Sequence, residues 1–131
     1  MEKEFHKNSY YLQDENSIGR VQIADDVVAV IAGLAATEVK GVAAIGGNLT
    51  ADLLSKVSSS KLSKGVKVII RDKSVKIRLA IMMEYGYNIP ATCSKVQDKV
   101  KAAVENMAGL KVTDVDIRIV NVDIQKEKGD K

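Results

Sequence analysis

A strict alternation of side chains constrains the fold of this chain more than any other feature. Every second position from Val75 to Met83 is apolar, whereas Lys76 and Arg78 lie between these positions. Because successive side chains of a strand point to opposite faces, this pattern predicts a strand with one buried face. Such a strand needs neighbouring strands and a second layer that covers its apolar face.

A corner and a long helix follow that strand. In the sequence EYGYNIP, Gly86 permits a bend, Asn88 can cap a helix, and Pro90 suits a first helical turn. We therefore predict a structural corner from strand to helix. The apolar stripe predicted for this helix comprises Ile89, Cys93, Val96, Val100, Ala103, Val104 and Met107.

The N-terminal half predicts a strand at 19–23 and then a second helix. Asp25 and Asp26 lie at its start, where carboxylates interact favourably with free N–H groups, and Gly41 is a candidate stop. Its predicted apolar stripe comprises Val27, Val30, Ile31 and Leu34. The small residues Ala32, Gly33, Ala35 and Ala36 predict that another element packs closely against this helix.

Three further strands complete the pattern. Residues 66–71 alternate and are joined to the central strand by a turn at 72–74, and residues 42–47 form either a short strand or an extended link. In the last strand the alternation slips by one residue between Ile119 and Val120, which predicts a bulge or a change in the covered face.

These elements predict an α+β fold. Their order is β-α-β-β-α-β with a variable segment, residues 48–64, after the first helix. The simplest arrangement is a mostly antiparallel sheet with two main helices packed on one face, and the split βαβ arrangement is the nearest named pattern. We predict a single domain at 18–125, with disordered tails at 1–17 and 126–131.

Composition narrows the functional class. The 131 residues include one Cys, which excludes an intramolecular disulfide and suits a reducing compartment, and the net charge of +3 is small. No signal-peptide core is present, and the longest apolar run, Val27 to Ala36, is too short to span a bilayer. We predict a cytoplasmic protein without direct membrane insertion, associated with a membrane only through a partner.

No set of residues predicts catalysis. The single His, His6, lies in the N-terminal tail, and Cys93 lies on an apolar helical stripe, so neither has a partner for nucleophilic chemistry. Asp25 and Asp26 fit the start of a helix better than a metal site, and Gly46-Gly47 lacks the lysine of a phosphate-binding loop. We predict no catalytic residues, no metal and no cofactor.

The face of the sheet away from the helices is the candidate contact surface. The residues predicted to contact a partner are Lys67, Ile69, Lys76, Arg78, Met82, Arg118, Tyr85 and Tyr87. Apolar side chains among the charges favour a protein contact over a merely solvated face. RNA binding is the alternative, because RNA-recognition domains share this order of elements, but they stack bases on aromatic rings that these strands lack.

The chain resembles the alkaline shock protein family of Gram-positive bacteria, also called envelope stress response proteins. The resemblance covers about residues 18–122 and is strongest in EYGYNIP and VQDKVKAAVENMAGLKVTDVDIRIVNV, with a second match in GRVQIADDVVAVIAGLAATEVKGVA. The matching positions are Tyr85, Gly86, Ile89, Val96, Gln97, Val100, Val104, Gly109, Leu110 and Val112, together with Val28, Ala32 and Gly41. Asp116 departs from the asparagine of many members.

This resemblance implies a protein without established catalytic activity. Members act as cytoplasmic scaffolds in cell-envelope homeostasis, some self-assemble, and some are held near the membrane by a small anchored partner. The N-terminal extension and the GGNLTADLL insert resemble a branch linked to fatty-acid synthesis genes. Our main hypothesis is a non-enzymatic interaction protein in envelope stress or lipid homeostasis, a homo-oligomer that docks to a membrane-anchor protein or a fatty-acid synthesis enzyme. The alternative is an RNA-binding regulator that uses the basic sheet face.

Overall fold

The structure is a computed structural model, and it describes residues 9–12, 18–46 and 65–124. The predicted variable segment at 48–64 and the predicted tail at 126–131 lie outside these residues. The elements in chain order are β1 (Ser9–Leu12), β2 (Val21–Ala24), α1 (Asp25–Thr37), β3 (Val42–Ile45), β4 (Val66–Arg71), β5 (Ser74–Glu84), α2 (Ile89–Ala108) and β6 (Lys111–Asp123). The stretch predicted as a strand or an extended link is therefore a strand, β3.

Strand β5 lies at the centre of a four-stranded sheet. On one side β6 runs parallel to it along its whole length. On the other side β4 pairs with its first half and β3 with its last residues, both antiparallel. Strands β1 and β2 form a separate antiparallel pair. Three of these four pairings are antiparallel, which confirms the α+β fold with a mostly antiparallel sheet.

The direct pairing of β5 with β6 corrects the predicted split βαβ arrangement. A split arrangement places another strand between the two parallel strands, whereas here β5 and β6 are hydrogen-bonded neighbours. Parallel neighbours need a crossover connection, and α2 with its corner provides it. This parallel register brings the side chains of β6 beside those of β5, with consequences for the candidate site.

The hydrophobic core lies between the sheet and both helices. Helix α1 packs on β3 and β4, while α2 packs on β6 and on α1. The alternating residues predicted for β5 are buried, with Ile77 and Ile81 at 0 % exposure, and Val96, Val100 and Val104 of α2 face them. Burying each such side chain contributes about 1.5–3 kcal/mol. The predicted face of β5 and the centre of the α2 stripe are confirmed.

The predicted ends of the α2 stripe are wrong. Ile89 is 42 % exposed and Met107 is 69 % exposed, and Cys93 is half-buried. Thr92 and Ala108 are buried instead, because they lie on the side of the helix that faces the core. The buried stripe of α2 therefore includes fewer of these apolar residues than the sequence pattern predicted.

Helix α1 presents a different face to the core from the one predicted. Its buried residues are Val28, Ala29, Ala32, Gly33, Ala35 and Ala36. Val27 is 47 % exposed and Leu34 is 48 % exposed, whereas Val30 and Ile31 are half-buried, so only part of the predicted stripe of large aliphatic residues turns outward. The expectation of a closely packed neighbour is confirmed, because α2 lies against this alanine-rich face.

The predicted disordered tail at 1–17 is wrong for residues 9–12. These residues form β1, which pairs with β2 from Ser9 opposite Ala24 to Leu12 opposite Val21. The Tyr10 ring is buried, and its hydroxyl donates a 2.8 Å hydrogen bond to the Ala108 carbonyl oxygen at the end of α2. Burial raises the pKa of Tyr10, so the hydroxyl stays protonated and remains a donor.

Strand β6 contains the predicted bulge. Ile81 is opposite Ile119, but the next residue, Met82, is opposite Asn121, so Val120 is the extra residue. A second shift occurs between Val75 and Lys76, where Thr113 is extra. With the two bulges, Val112, Val115, Ile117 and Ile119 are buried or half-buried on the core side, whereas Val120 and Val122 are 38 % and 37 % exposed.

Replacing Tyr10 with Phe tests whether β1 stabilises the domain. We expect Y10F to lower the free energy of unfolding by about 1–2 kcal/mol, because the buried Ala108 carbonyl loses its donor. Urea unfolding followed by circular dichroism measures the change. The matched control is Y87F, because the Tyr87 hydroxyl has no hydrogen-bond partner among the described residues. Equal losses of stability in Y10F and Y87F would show that the hydrogen bond from Tyr10 to Ala108 does not stabilise the domain.

Glu105 gives the stability a pH dependence at acid pH. The Val112 N–H donates a 3.0 Å hydrogen bond to its carboxylate, and this bond, together with Lys101, lowers its pKa below the ordinary 4.5. A lowered pKa contributes stability that is present above the ordinary value and is lost as pH falls through the lowered one.

We therefore expect wild type to be more stable than E105Q at neutral pH, and the two to approach each other below the ordinary pKa and to converge below the lowered one. The glutamine keeps an acceptor for the Val112 N–H but removes the charge. Urea midpoints at several pH values measure the difference. A gap that stays constant from neutral to strongly acid pH would show that the charge of Glu105 contributes nothing.

Candidate functional site

The EYGYNIP corner is a structural element, as predicted. Gly86 has φ +103°, and the Asn88 side-chain oxygen accepts a 2.8 Å hydrogen bond from the Ala91 N–H at the start of α2. The Tyr87 ring packs on Gly41, which also has φ +103°. The Glu84 N–H donates to the Gly41 carbonyl oxygen at 2.8 Å. The corner therefore locks the end of β5 to the turn after α1.

The surface predicted to contact a partner exists as one continuous face. We call it the open face: the side chains of β4, β5 and β6 that point away from the helices. Its members, from the strand register, are Lys67, Ile69, Arg71, Ser74, Lys76, Arg78, Ala80, Met82, Glu84, Lys111, Asp114, Asp116, Arg118, Asn121 and Asp123. Tyr85 and Tyr87 follow β5 at one end, 64 % and 44 % exposed. The structure thus brings the eight predicted contact residues to this face or to its end.

Not every predicted contact residue is accessible. Ile69 is 39 % exposed, and Lys67, Arg78 and Arg118 are exposed. Met82 is only 7 % exposed and lies opposite Ala44, which is buried as well. Met82 therefore offers little surface to a partner, whereas Ile69 and the two tyrosines offer more.

Carboxylates of β6 neutralise part of the predicted basic face. The Lys76 Nζ lies 3.7 Å from an Asp114 carboxylate oxygen, and the Arg78 Nε lies 4.0 Å from Asp116. Sequence reasoning missed these partners because it did not place β6 parallel to β5. With six cations and four carboxylates, the open face has a small net charge, so the RNA-binding alternative gains no support from it and stays a prediction.

The charges of the open face are nevertheless separated along β5. Arg71 lies beside the turn that precedes β5, whereas Glu84 at the far end lies directly opposite Asp123 of β6. Two carboxylates directly opposite each other are unfavourable. Since β5 has 11 residues and rises about 3.3 Å per residue, its ends are separated by roughly 33 Å. That distance is several Debye lengths at physiological salt, so the two ends act as separate basic and acidic patches.

A depression lies in the middle of the open face. It has a volume of about 380 Å³ and is formed where Gly65 and Ala80 present almost no side chain. The Ala80 N–H donates a 2.9 Å hydrogen bond to the Gly65 carbonyl oxygen, which fixes the two residues side by side. Lys67, Arg78 and Arg118 line the depression.

Groups that could support catalysis do not come together in the described part of the chain. Among residues 9–12, 18–46 and 65–124, no three His, Cys, Asp or Glu side chains form a cluster able to hold a metal ion. Burial raises the pKa of the Cys93 thiol, which disfavours the reactive thiolate. Asp25 lies beside Asp26 at the start of α1, where burial and the neighbouring charge raise its pKa. In these same ranges no helix is both long enough and apolar enough to cross a bilayer.

Comparison with known proteins identifies the family. The family model for alkaline shock protein 23, described as having a cell envelope-related function, matches residues 13–124. The chain belongs to this family. The match includes β2 to β6 and both helices, so the alkaline shock protein domain extends over every described element except β1. The resemblance noted in the sequence is thereby confirmed.

Several curated proteins are similar to this alkaline shock protein domain. The uncharacterized protein YqhY of Bacillus subtilis is 33 % identical over 109 residues, which are 83 % of this chain and 81 % of YqhY. The uncharacterized protein Spy1535 of Streptococcus pyogenes is 33 % identical over 110 residues, 83 % of each chain. A stress response regulator gls24 homolog of S. pyogenes is 28 % identical over 110 residues, 83 % of this chain and 62 % of that protein.

No solved structure matches this chain. The family is described in terms of the cell envelope, and the gls24 relatives are named stress response regulators, so neither description refers to an enzyme class.

Replacing Gly41 with Ala tests the lock between the corner and α1. A Cβ at this position would lie 2.9 Å from the Tyr87 ring and 3.2 Å from Thr92 Cγ2, and φ +103° is strained for any other residue. We expect G41A to lower the free energy of unfolding by about 1–3 kcal/mol. G19A is the control, since a Cβ there meets nothing within 4 Å. Equal stability of G41A and wild type would contradict the lock.

Proposed function

We propose that this protein is a non-enzymatic scaffold that associates with a second copy of itself through the open face. The observation that carries the proposal is the separation of a basic and an acidic patch at opposite ends of one exposed sheet face. A twofold axis through the middle of the face places the Arg71 end of one copy over the Glu84 and Asp123 end of the other. Such a contact is self-complementary, and both copies use the same surface.

The charges at the acidic end favour binding of a second copy over a monomer whose open face contacts only water. In the monomer, Glu84 and Asp123 face each other, and no ion pair with a cation relieves them within the described residues. In the proposed dimer, each acidic pair meets a cation of the partner. Electrostatic complementarity of this kind mainly sets orientation and specificity.

Apolar groups on the same face supply contact area. Ile69 lies between the cations of β4, and Tyr85 and Tyr87 stand at the acidic end. Tyrosines are enriched among the side chains that dominate interface energies. The dimer therefore combines two kinds of contact. Apolar side chains meet near each end of the open face, and the basic end of one copy attracts the acidic end of the other.

The family suggests the setting in which this scaffold works. The description of the family as envelope-related and the names of the gls24 relatives support a role in envelope stress or lipid homeostasis. We propose a cytoplasmic location, with docking to a membrane-anchor protein or to a fatty-acid synthesis enzyme. These two partner classes come from the resemblance, and affinity capture after crosslinking in cells, with wild type and the variants below, separates them.

A charge swap tests self-association. We expect R71E and E84K each to lower the association constant by about tenfold, because each places like charges together twice in the dimer. Mixing the two variants restores association, since every repulsive contact becomes attractive in the mixed dimer. Sedimentation equilibrium of each variant, and of the mixture, measures the effect.

The matched control is K95E, a charge reversal at an exposed position of α2, outside the open face. We expect it to leave association unchanged. Monomeric wild type at every accessible concentration, or a mixture no more associated than its components, would exclude the open face as the contact.

A further inference from the structure

We propose that the depression in the open face binds the phosphoryl group of a small ligand. Neither the family description nor the names of the relatives assigns a ligand to it. The inference rests on the cavity and its charges. Because the depression lies in the middle of the open face, a bound ligand and a second copy of the protein compete for the same surface.

The register defines the geometry of this site. Lys67 of β4, Arg78 of β5 and Asp116 of β6 form one row across the open face. The next row consists of Gly65, Ala80 and Arg118. Since side chains on one face of neighbouring strands lie about 5 Å apart, the three cations surround the floor formed by Gly65 and Ala80.

The site has a surplus of positive charge. Lys67 lies directly opposite Arg78, a like-charge pair that is unfavourable in a sheet. The carboxylate of Asp116 lies 4.0 Å from Arg78 Nε, and within the described residues neither Lys67 nor Arg118 forms an ion pair. Three cations and one carboxylate leave a surplus of two, which matches the charge of about −1.5 to −2 carried by a phosphomonoester at pH 7.

The volume points to a ligand larger than a bare ion. The depression of about 380 Å³ falls within the range of roughly 300–1,000 Å³ typical of small-molecule pockets. A phosphoryl group held by the guanidinium groups of Arg78 and Arg118 leaves room for an organic part over Ala80. The chemistry fits a soluble phosphomonoester and also the headgroup of an anionic lipid.

The floor depends on two small residues. A Cβ at Gly65 would lie 2.5 Å from Ile45 Cγ2 and 2.7 Å from the Gly46 nitrogen, so a larger residue does not fit there. Ala80 is half-buried on the open face, and a larger side chain at this position points into the depression. Ala80 therefore offers a way to fill the site without changing its charge.

Binding of glycerol 3-phosphate and of vesicles containing phosphatidic acid tests the proposal. Chemical-shift titration of the full chain measures the first, and vesicle co-sedimentation measures the second. We expect K67Q and R118Q to weaken binding by roughly tenfold each, and A80L to abolish it. Binding to glycerol 3-phosphate identifies a soluble ligand, whereas binding to vesicles alone identifies a lipid headgroup, and either result supports the site.

The matched control is K95Q, which removes an exposed cation of α2 that does not line the depression. We expect it to bind like wild type. An equal loss in K95Q and R118Q would reduce the effect to general surface charge and overturn the proposal, as would failure of wild type to bind either probe at low salt. Because K67Q and R118Q change exposed side chains, they test the site even if A80L does not fold. None of these variants repeats the charge swap, so the two proposals can fail separately.

Discussion

The parallel pairing of β5 with β6 is the constraint on which the rest of this structure depends. It requires a crossover, and the crossover helix α2 supplies the valines that cover the apolar face of β5. It also fixes which residues lie beside one another on the opposite face. Register, core and surface charge are therefore consequences of one strand pairing. The corner at Gly86 and the cap at Asn88 matter because they set where this crossover begins.

That same pairing places carboxylates beside the cations of a surface that the sequence alone indicated to be basic. Along the sequence, Lys76 and Arg78 belong to a strand rich in cations, but the register brings Asp114 and Asp116 to them. What remains is a basic end, an acidic end and an electropositive depression between them. A pattern of this kind favours oriented protein contacts and recognition of a compact anion, whereas a polyanion needs a continuous basic surface.

The sequence predicted those features that depend on local pattern. The buried face of β5, the corner before α2 and the slip at Val120 each follow from residues close together in the chain. The buried face of helix α1 was harder to predict from the sequence, because its outward and inward faces are both apolar. Val28 and Ala32 are buried, and Val27 and Leu34 are not, since only small residues allow α2 to approach closely.

Long-range partners explain the other differences. Nothing near Tyr10 indicates that its hydroxyl bonds to Ala108, 98 positions away. The neutralising role of Asp114 and Asp116 likewise depends on a parallel register that local alternation cannot distinguish from an antiparallel one. The depression was not predictable for the same reason, because Gly65 precedes β4 whereas Ala80 and Arg118 belong to β5 and β6.

The close approach of the end of β3 to the start of β4 has a consequence for where the length of the chain can vary. The Gly46 N–H donates to the Ala80 carbonyl oxygen at 2.7 Å, and the Ala80 N–H donates to Gly65, so one residue of β5 holds both strand ends. Residues 46 and 65 therefore lie side by side. Because these two ends are held together, the entropy of closing the chain that joins them changes only slowly with its length. This junction is thus a natural position at which to graft a reporter or a foreign peptide.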